Sequence, residues 1–239
     1  MVLTAVLETL LPLRCPACGA AGPAPCARCL RGMGRPPRGP VPAGLDGCWS
    51  LLAYDGPARE LVTRLKYRNH RAAVAWLADG MAALLEPPPG AVVTWAPTSE
   101  RRRRARGFDQ AELLAAAVAR RWGVPCRRLL TRSSASPPQT GLSLAARRRG
   151  PTFAGAPGAI DAGAAILVDD VVTTGSTLTA AAGELRAGGV GWVVGLTAAR
   201  TPRLTVTVPA LSVSATPPDV EVSLKFGAQR ADTEGDAGE

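Results

Sequence analysis

Asp169 and Asp170 stand side by side where the apolar run Ala164–Val168 ends, and Val171-Val172-Thr173-Thr174-Gly175-Ser176-Thr177 follows at once. Two adjacent carboxylates at the end of a buried strand are costly unless a cation or hydrogen-bond donors face them. The vicinal hydroxyls of a ribose are such donors, and Mg²⁺ is such a cation. The small residues that follow let backbone N–H groups close around an anion. A helix opening at Ser176 aims the positive end of its dipole at the same place. Hydroxyls on Thr173, Thr174, Ser176 and Thr177 add donors, with Gly175 as the turn between them. A diol binder beside a phosphate cup matches a ribose 5-phosphate. The sequence has no G-x-x-x-x-G-K-[ST] and no G-x-G-x-x-G after a strand, which argues against a P-loop NTPase and a dinucleotide-binding domain. The plainer alternative is a helix-capping turn with two solvated acids.

A second chemistry-bearing stretch begins at Pro97 and runs Thr98-Ser99-Glu100-Arg101-Arg102-Arg103-Arg104-Ala105-Arg106-Gly107-Phe108-Asp109-Gln110-Ala111. It follows the β-rich run Ala91–Ala96, so it belongs at the carboxyl end of a strand, where α/β proteins bind ligands. A pyrophosphate carries several negative charges and needs guanidinium groups or backbone amides around it. Arg102, Arg106 and the loop from Pro97 are candidates for that role. The competing reading is a solvated basic face. The chain as a whole carries a net charge of +9, and Lys66 and Lys225 are its only lysines. Guanidinium groups suit phosphate, pyrophosphate or nucleic acid, because their planar fork contacts two oxygens at once.

Cys15 and Cys18 form one C-x2-C unit, and Cys26 and Cys29 form another. In a reducing compartment this spacing points to metal rather than disulfides. Two such units with a short turn between them can offer four thiolates to Zn²⁺ in a tetrahedron, and a closed shell of four ligands is structural rather than catalytic. Cys48 and Cys126 stand alone and read as small buried apolar residues.

These groups need elements to position them. Strand patterns cover Cys48–Tyr54, Ala91–Ala96, Ala164–Val168 and Gly191–Ala198. Helical spacing covers Pro57–Tyr67, Arg71–Leu85 up to the triple proline at 87–89, Phe108–Trp122 up to Gly123, and Ser176–Ala187 up to Gly188. Strands alternating with helices imply an α/β domain with a mainly parallel sheet flanked by helices. Residues 1–42 read as an amphipathic helix (Val2–Leu13), the cysteine module and a Gly/Pro/Arg linker, 43–200 as the main domain, and 201–239 as a partly disordered extension. The polar segment Arg132–Gly150 has the length and composition of a lid. His70 falls between two helices and reads as a surface residue. Val2–Leu13 lacks a basic leader and a cleavage site, and it is shorter than the roughly 20 residues that cross a bilayer. The expectation is a cytoplasmic protein with no membrane span.

The loop at Asp169–Thr177 resembles the signature of the type I phosphoribosyltransferases. The pattern Pro97…Arg102…Arg106-Gly107-Phe108-Asp109-Gln110-Ala111…Leu114-Ala115 is similar to the ComF family of phosphoribosyltransferase-like proteins, with Asp109 where that family has Asn. Tyr54–Tyr67 resembles the family's Tyr…Leu-Lys-aromatic segment, which makes Lys66 a candidate phosphate contact, a surface lysine being the alternative. Gln139, Leu142 and Arg147 resemble its Gln…Leu…Arg pattern, with Gly150 where the family has Asn. The four-cysteine start resembles its zinc-ribbon-like module. The resemblance implies a type I phosphoribosyltransferase-like sheet in which Asp169 and Asp170 hold the ribose hydroxyls and Thr173–Thr177 hold the 5-phosphate. It implies phosphoribosyl pyrophosphate with Mg²⁺ as ligand, a structural Zn²⁺, and phosphoribosyl (pentosyl) transfer to an acceptor the sequence does not name. The alternative it implies is a non-catalytic competence factor for DNA uptake, binding single-stranded DNA beside a competence helicase-type partner. Neither reading sets an oligomeric state.

Overall fold

The computed structural model describes residues 14–22, 25–68, 71–132, 151–156 and 162–202, without the side chains of 66–68, 71 and 72. Residues 2–13, where a helix is expected, the Lys66 side chain, His70, the segment carrying Gln139, Leu142 and Arg147, and the residues beyond Pro202 lie outside the described residues.

Four parallel strands form the central sheet: β1 (Gly47–Ala53), β2 (Val92–Trp95), β5 (Ala164–Val172) and β6 (Trp192–Arg200). Their order is β1-β6-β5-β2. Strands buried on both faces should read as continuous apolar runs, and Ala165–Val168 in β5 and Val193–Leu196 in β6 do so. A short antiparallel hairpin, β3 (Leu130–Arg132) with β4 (Phe153–Gly155), lies apart from this sheet. The sequence patterns did not reveal it, because strands of three residues are too short to show a period of two. The helices are α1 (Ala27–Arg31), α2 (Gly56–Arg68), α3 (Arg71–Ala82), α4 (Glu100–Arg106), α5 (Gln110–Trp122) and α6 (Ser176–Ala187).

One apolar layer packs α2, α3 and α5 on one face of the sheet, through Leu61, Leu65, Leu77, Met81, Leu114 and Val118. The other joins α6 and the hairpin to the opposite face, through Leu129, Leu130, Phe153, Leu178 and Leu185. The outer edge of β2 is covered: Val93 N–H donates to Pro125 C=O at 2.9 Å, and Arg127 N–H donates to Val93 C=O at 2.9 Å. The chain therefore leaves β2 over the first face and returns to β5 over the second.

Residues 33–46 form no helix or strand, as their Gly/Pro content predicts. They are nevertheless seated on the sheet. Ala53 N–H donates to Gly34 C=O at 3.0 Å, and Pro42 is buried. The two lone cysteines differ from expectation: Cys48 is half-buried and Cys126 is exposed. Cys126 follows Pro125 on the strip that pairs with the edge of β2, and its surface stays exposed there, so small size and low polarity did not decide its burial. No described helix is long and apolar enough to cross a membrane.

Candidate ligand cavity and metal centre

The site starts where β2 and β5 part. Trp95 is the last residue of β2 in register with β5, opposite Val168, and Ala96 N–H donates to Val168 C=O at 3.0 Å. Beyond that bond β5 continues through Asp169 and Asp170 beside β6 alone, with Asp169 opposite Thr197. The helix after β2, α5, lies on one face and the helix after β5, α6, lies on the other. Two neighbouring strands whose exits diverge in this way leave a crevice at their carboxyl ends, the usual binding place in an open α/β sheet.

On the β5 side, Asp169 and Asp170 are half-buried, and Asp170 N–H donates to Asp169 Oδ1 at 2.8 Å. The loop then turns into α6 at Gly175, which has φ +84°. A Cβ there would lie 2.9 Å from Pro42 Cγ, so both the backbone conformation and the buried proline require glycine. Thr174 Oγ1 accepts from Ser176 N–H at 3.3 Å and pairs with Ser176 Oγ at 3.1 Å. Thr173, Gly175, Ser176 and Thr177, with Asp169, line a small cup at the helix N-terminus. The first-turn amides of a helix have no intrahelical acceptor, so such a cup suits an anion.

On the β2 side, the tetra-arginine is a helix rather than an irregular loop. Ser99 caps α4, its Oγ accepting from Arg102 N–H at 3.4 Å, and Gly107 ends it at φ +79°. Arg101–Arg104 are exposed, and Arg106 Nη1 donates to Gln110 Oε1 at 2.8 Å. The next helix begins at Gln110, two residues later than its apolar spacing implies, because Asp109 is its N-cap. Asp109 is 5% exposed. Its Oδ1 accepts from Ala111 N–H at 3.1 Å and its Oδ2 from Thr98 N–H at 2.7 Å. One carboxylate thus caps α5 and pins the strand-end loop.

Burial pushes the Asp109 carboxyl above its ordinary value of 3.8, the amides of Thr98, Ala111 and Glu112 pull it back, and the charge of Asp170 adds to the rise. The folded state therefore holds this proton more tightly than the unfolded chain. The contribution of Asp109 to stability falls as pH rises from 3.8 to its raised value and is flat above it. Asp109→Asn removes that slope, and unfolding midpoints measured across the acid range check it. Asp109→Ala loses the cap and leaves Thr98 N–H unpaired, so denaturant titration should show a loss of about 2–3 kcal/mol.

Between the two loops lies a cavity of about 460 Å³. Pro97, Thr98, Arg102, Arg106 and Asp109 line one side, Asp169, Asp170, Val171 and Thr177 the other, and Tyr54 and Thr63 close it. Asp169, Val171 and Thr177 line both the cavity and the helix cup, so the two spaces adjoin. The volume suits a drug-sized ligand. Chemically, the arrangement can hold hydroxyls against carboxylates in the middle and anions at both ends. Of the residues singled out in the sequence, Pro97, Arg102, Arg106, Asp169, Asp170 and Thr177 meet around the cavity. Thr173, Gly175 and Ser176 meet in the cup, with Thr174 bonded to Ser176. Arg132 also lines the cavity. The sequence placed it only at the start of the lid-like segment Arg132–Gly150, but it ends a three-residue strand, too short to show a pattern of its own.

The cysteine module forms a second centre. Cys15, Cys18, Cys26 and Cys29 have their sulfur atoms within 4.8 Å of one another, close enough to bind a metal ion such as zinc. Cys18 Sγ and Cys26 Sγ are 3.8 Å apart, and a tetrahedron with Zn–S of about 2.3 Å has edges of about 3.8 Å. The turn that sets the first pair is local: Gly19 N–H donates to Cys15 C=O at 2.8 Å and Cys15 N–H to Ala20 C=O at 2.8 Å. Burial raises the Cys15 thiol, but the amides of Cys26, Cys18 and Ala17 outweigh it and hold it at about 6. Burial and the three neighbouring sulfurs push Cys29 up to about 12. Four thiolates do not ionise side by side without a cation among them, so the donor set fits a divalent soft metal. Cys15, Ala17 and Cys29 share an apolar cluster with Leu61 and Leu65 of α2, which seats the module on the main domain.

No family model and no curated protein matches this chain.

Proposed function

We propose that the chain is a phosphoribosyltransferase-like protein of the ComF type that binds phosphoribosyl pyrophosphate, or a related phosphoribosyl ligand, with Mg²⁺. One observation carries the reading: Asp169 and Asp170 line a cavity that Arg102 and Arg106 also line, and Asp169 lines the Thr/Gly cup at the helix N-terminus as well. That grouping matches the ligand, which has a 5-phosphate, two ring hydroxyls and a pyrophosphate. In this reading the sheet is of the type I phosphoribosyltransferase kind. The 5-phosphate occupies the cup at Thr173–Thr177, the ribose hydroxyls donate to Asp169 and Asp170, and the pyrophosphate faces Arg102 and Arg106.

Mg²⁺, when bound, would supply charge against the pyrophosphate oxygens, and Asp169 and Asp170 are the cavity carboxylates that would hold it, since the oxygens of Asp109 already accept from Thr98 and Ala111 N–H. Transfer to an acceptor then depends on positioning and charge rather than on proton chemistry. The cavity fits that demand, with guanidinium groups where negative charge builds on the leaving group and carboxylates where positive charge builds on the ribose ring.

Calorimetric titration with phosphoribosyl pyrophosphate and Mg²⁺ tests the reading. Saturable binding of one ligand per chain is expected, and no heat from the wild-type protein rejects it. A second reading, association with single-stranded DNA, is favoured by the exposed Arg101, Arg103 and Arg104 on α4, outside the cavity lining. It requires an affinity that falls steeply with salt, since each phosphate contact releases counterions. No DNA binding at low salt removes it.

A further inference from the structure

Arg132 lies far along the chain from the arginine run, yet it reaches the same cavity. The inference drawn from it rests on the reading of that cavity as a phosphoribosyl pyrophosphate site. We propose that Arg132, which lines the cavity together with Arg102, recognises the pyrophosphate group and so makes the site prefer a ribose bearing pyrophosphate to one bearing only the 5-phosphate.

The hairpin holds Arg132 in place. Leu129, Leu130 and Phe153 are almost fully buried in the apolar layer beneath α6, so β3 and β4 are anchored rather than draped over the surface. Arg132 pairs with Phe153 across the hairpin, and its guanidinium lies 5.7 Å from the centre of that ring. Stacking of this kind orients a guanidinium plane and limits its rotamers. Nη1 also donates to Pro97 C=O at 3.4 Å, a long bond that uses one of the five N–H donors of the group. The side chain thus bridges from the hairpin to the loop that follows β2.

The charges around it point to an anion. Burial works against the charge on Arg132, the nearby Arg102 works against it further, and Asp169 and Asp109 favour it. Two guanidinium groups from different elements line one cavity, and an anion held between them would relieve their repulsion. Pyrophosphate fits that space because its oxygens can meet both forks.

The position also says which phosphate is meant. The cup that suits the 5-phosphate is lined by residues of the β5–α6 turn, and Arg132 is not among them. Asp169 belongs to both spaces, so a ribose held there would direct its two phosphate-bearing arms apart. One arm enters the cup and the other faces Arg132 and Arg102. Arg132 therefore acts on the second arm alone.

The test titrates full-length wild type, Arg132→Gln and Arg132→Lys with phosphoribosyl pyrophosphate and Mg²⁺, with inorganic pyrophosphate, and with ribose 5-phosphate. Losing one charge-assisted, two-pronged contact should weaken the first two ligands about 10- to 100-fold in Arg132→Gln. Ribose 5-phosphate should change less than about threefold, and Arg132→Lys should fall between, keeping the charge without the fork. If Arg132→Gln does not fold, Arg132→Lys decides by the same comparison of pyrophosphate with ribose 5-phosphate. Unchanged pyrophosphate affinity, or equal weakening of all three ligands, overturns the role of Arg132 while leaving the cavity reading standing. A wild-type protein that binds none of the three removes both.

Discussion

The double variant Asp169→Asn/Asp170→Asn should bind phosphoribosyl pyrophosphate at least about 100-fold more weakly than wild type, because two hydrogen bonds to ionised acceptors, worth about 1.5–3 kcal/mol each, are lost together. The substitution keeps size and shape. An asparagine in place of Asp169 retains an Oδ1 that can accept from the amide of residue 170, the bond Asp169 makes at 2.8 Å. The change also removes two like charges placed side by side at a strand end. The unfolding midpoint should therefore stay level or rise while binding is lost, the pattern of groups held for function at some expense of stability. Calorimetry and thermal unfolding on the same samples separate the two effects. A double variant that binds within about threefold of wild type would sink the assignment of the ribose hydroxyls to this pair.

Removing the metal should have the second large effect, on the fold rather than on the ligand. Purified protein is expected to carry one zinc per chain, and Cys15→Ser or Cys29→Ser should release it. Structural zinc in small modules is worth about 10–16 kcal/mol of apparent binding energy. Part of the module is held by apolar burial, since Cys15, Ala17 and Cys29 pack with Leu61 and Leu65. Only a share of the metal energy should then appear as lost stability. A loss of about 5 kcal/mol would lower the melting temperature by about 10–20 °C for a domain of this size. Zinc affinity should also fall as pH falls, because the ion must displace protons and Cys29 without metal is pushed up to about 12. Metal analysis that finds no zinc, together with a melting temperature indifferent to chelator, would overturn the thiolate site.

The parts of the site that were legible in the sequence are those whose geometry is set by neighbours in the chain. Ala165–Val168, Asp169, Asp170 and the turn at Gly175 are consecutive, so a strand, its end and the helix after it follow from local rules of burial, backbone conformation and capping. The two C-x2-C units are local in the same way: each pair is set by a short turn or helix start. The alternation of strand and helix patterns implied a mainly parallel α/β sheet, and that coarse architecture is present. Element ends were less legible. The helix expected from Phe108 starts at Gln110, since a buried carboxylate at 109 captured the first amides. The expected strand end at Val168 moves to Val172, because β6 continues to pair with β5 after β2 has turned away.

The sequence by itself determined that an acid pair precedes a Thr/Gly turn, that four thiols lie near one another in the chain, and that an arginine-rich segment follows a strand. Only the tertiary structure decided that Arg102 and Arg106 of that run line one cavity with the acid pair. That depends on β2 lying next to β5, a pairing between segments far apart in the chain whose register comes from side-chain packing on both faces. It also decided that Pro42 covers Gly175, that Asp109 joins two loops, and that Arg132 enters the cavity from a hairpin anchored under α6. Each of these is a meeting of residues whose separate local environments carry no mark of the other. Long-range contacts follow from how the apolar faces stack, and a sequence read along one dimension does not contain that stacking in any local pattern.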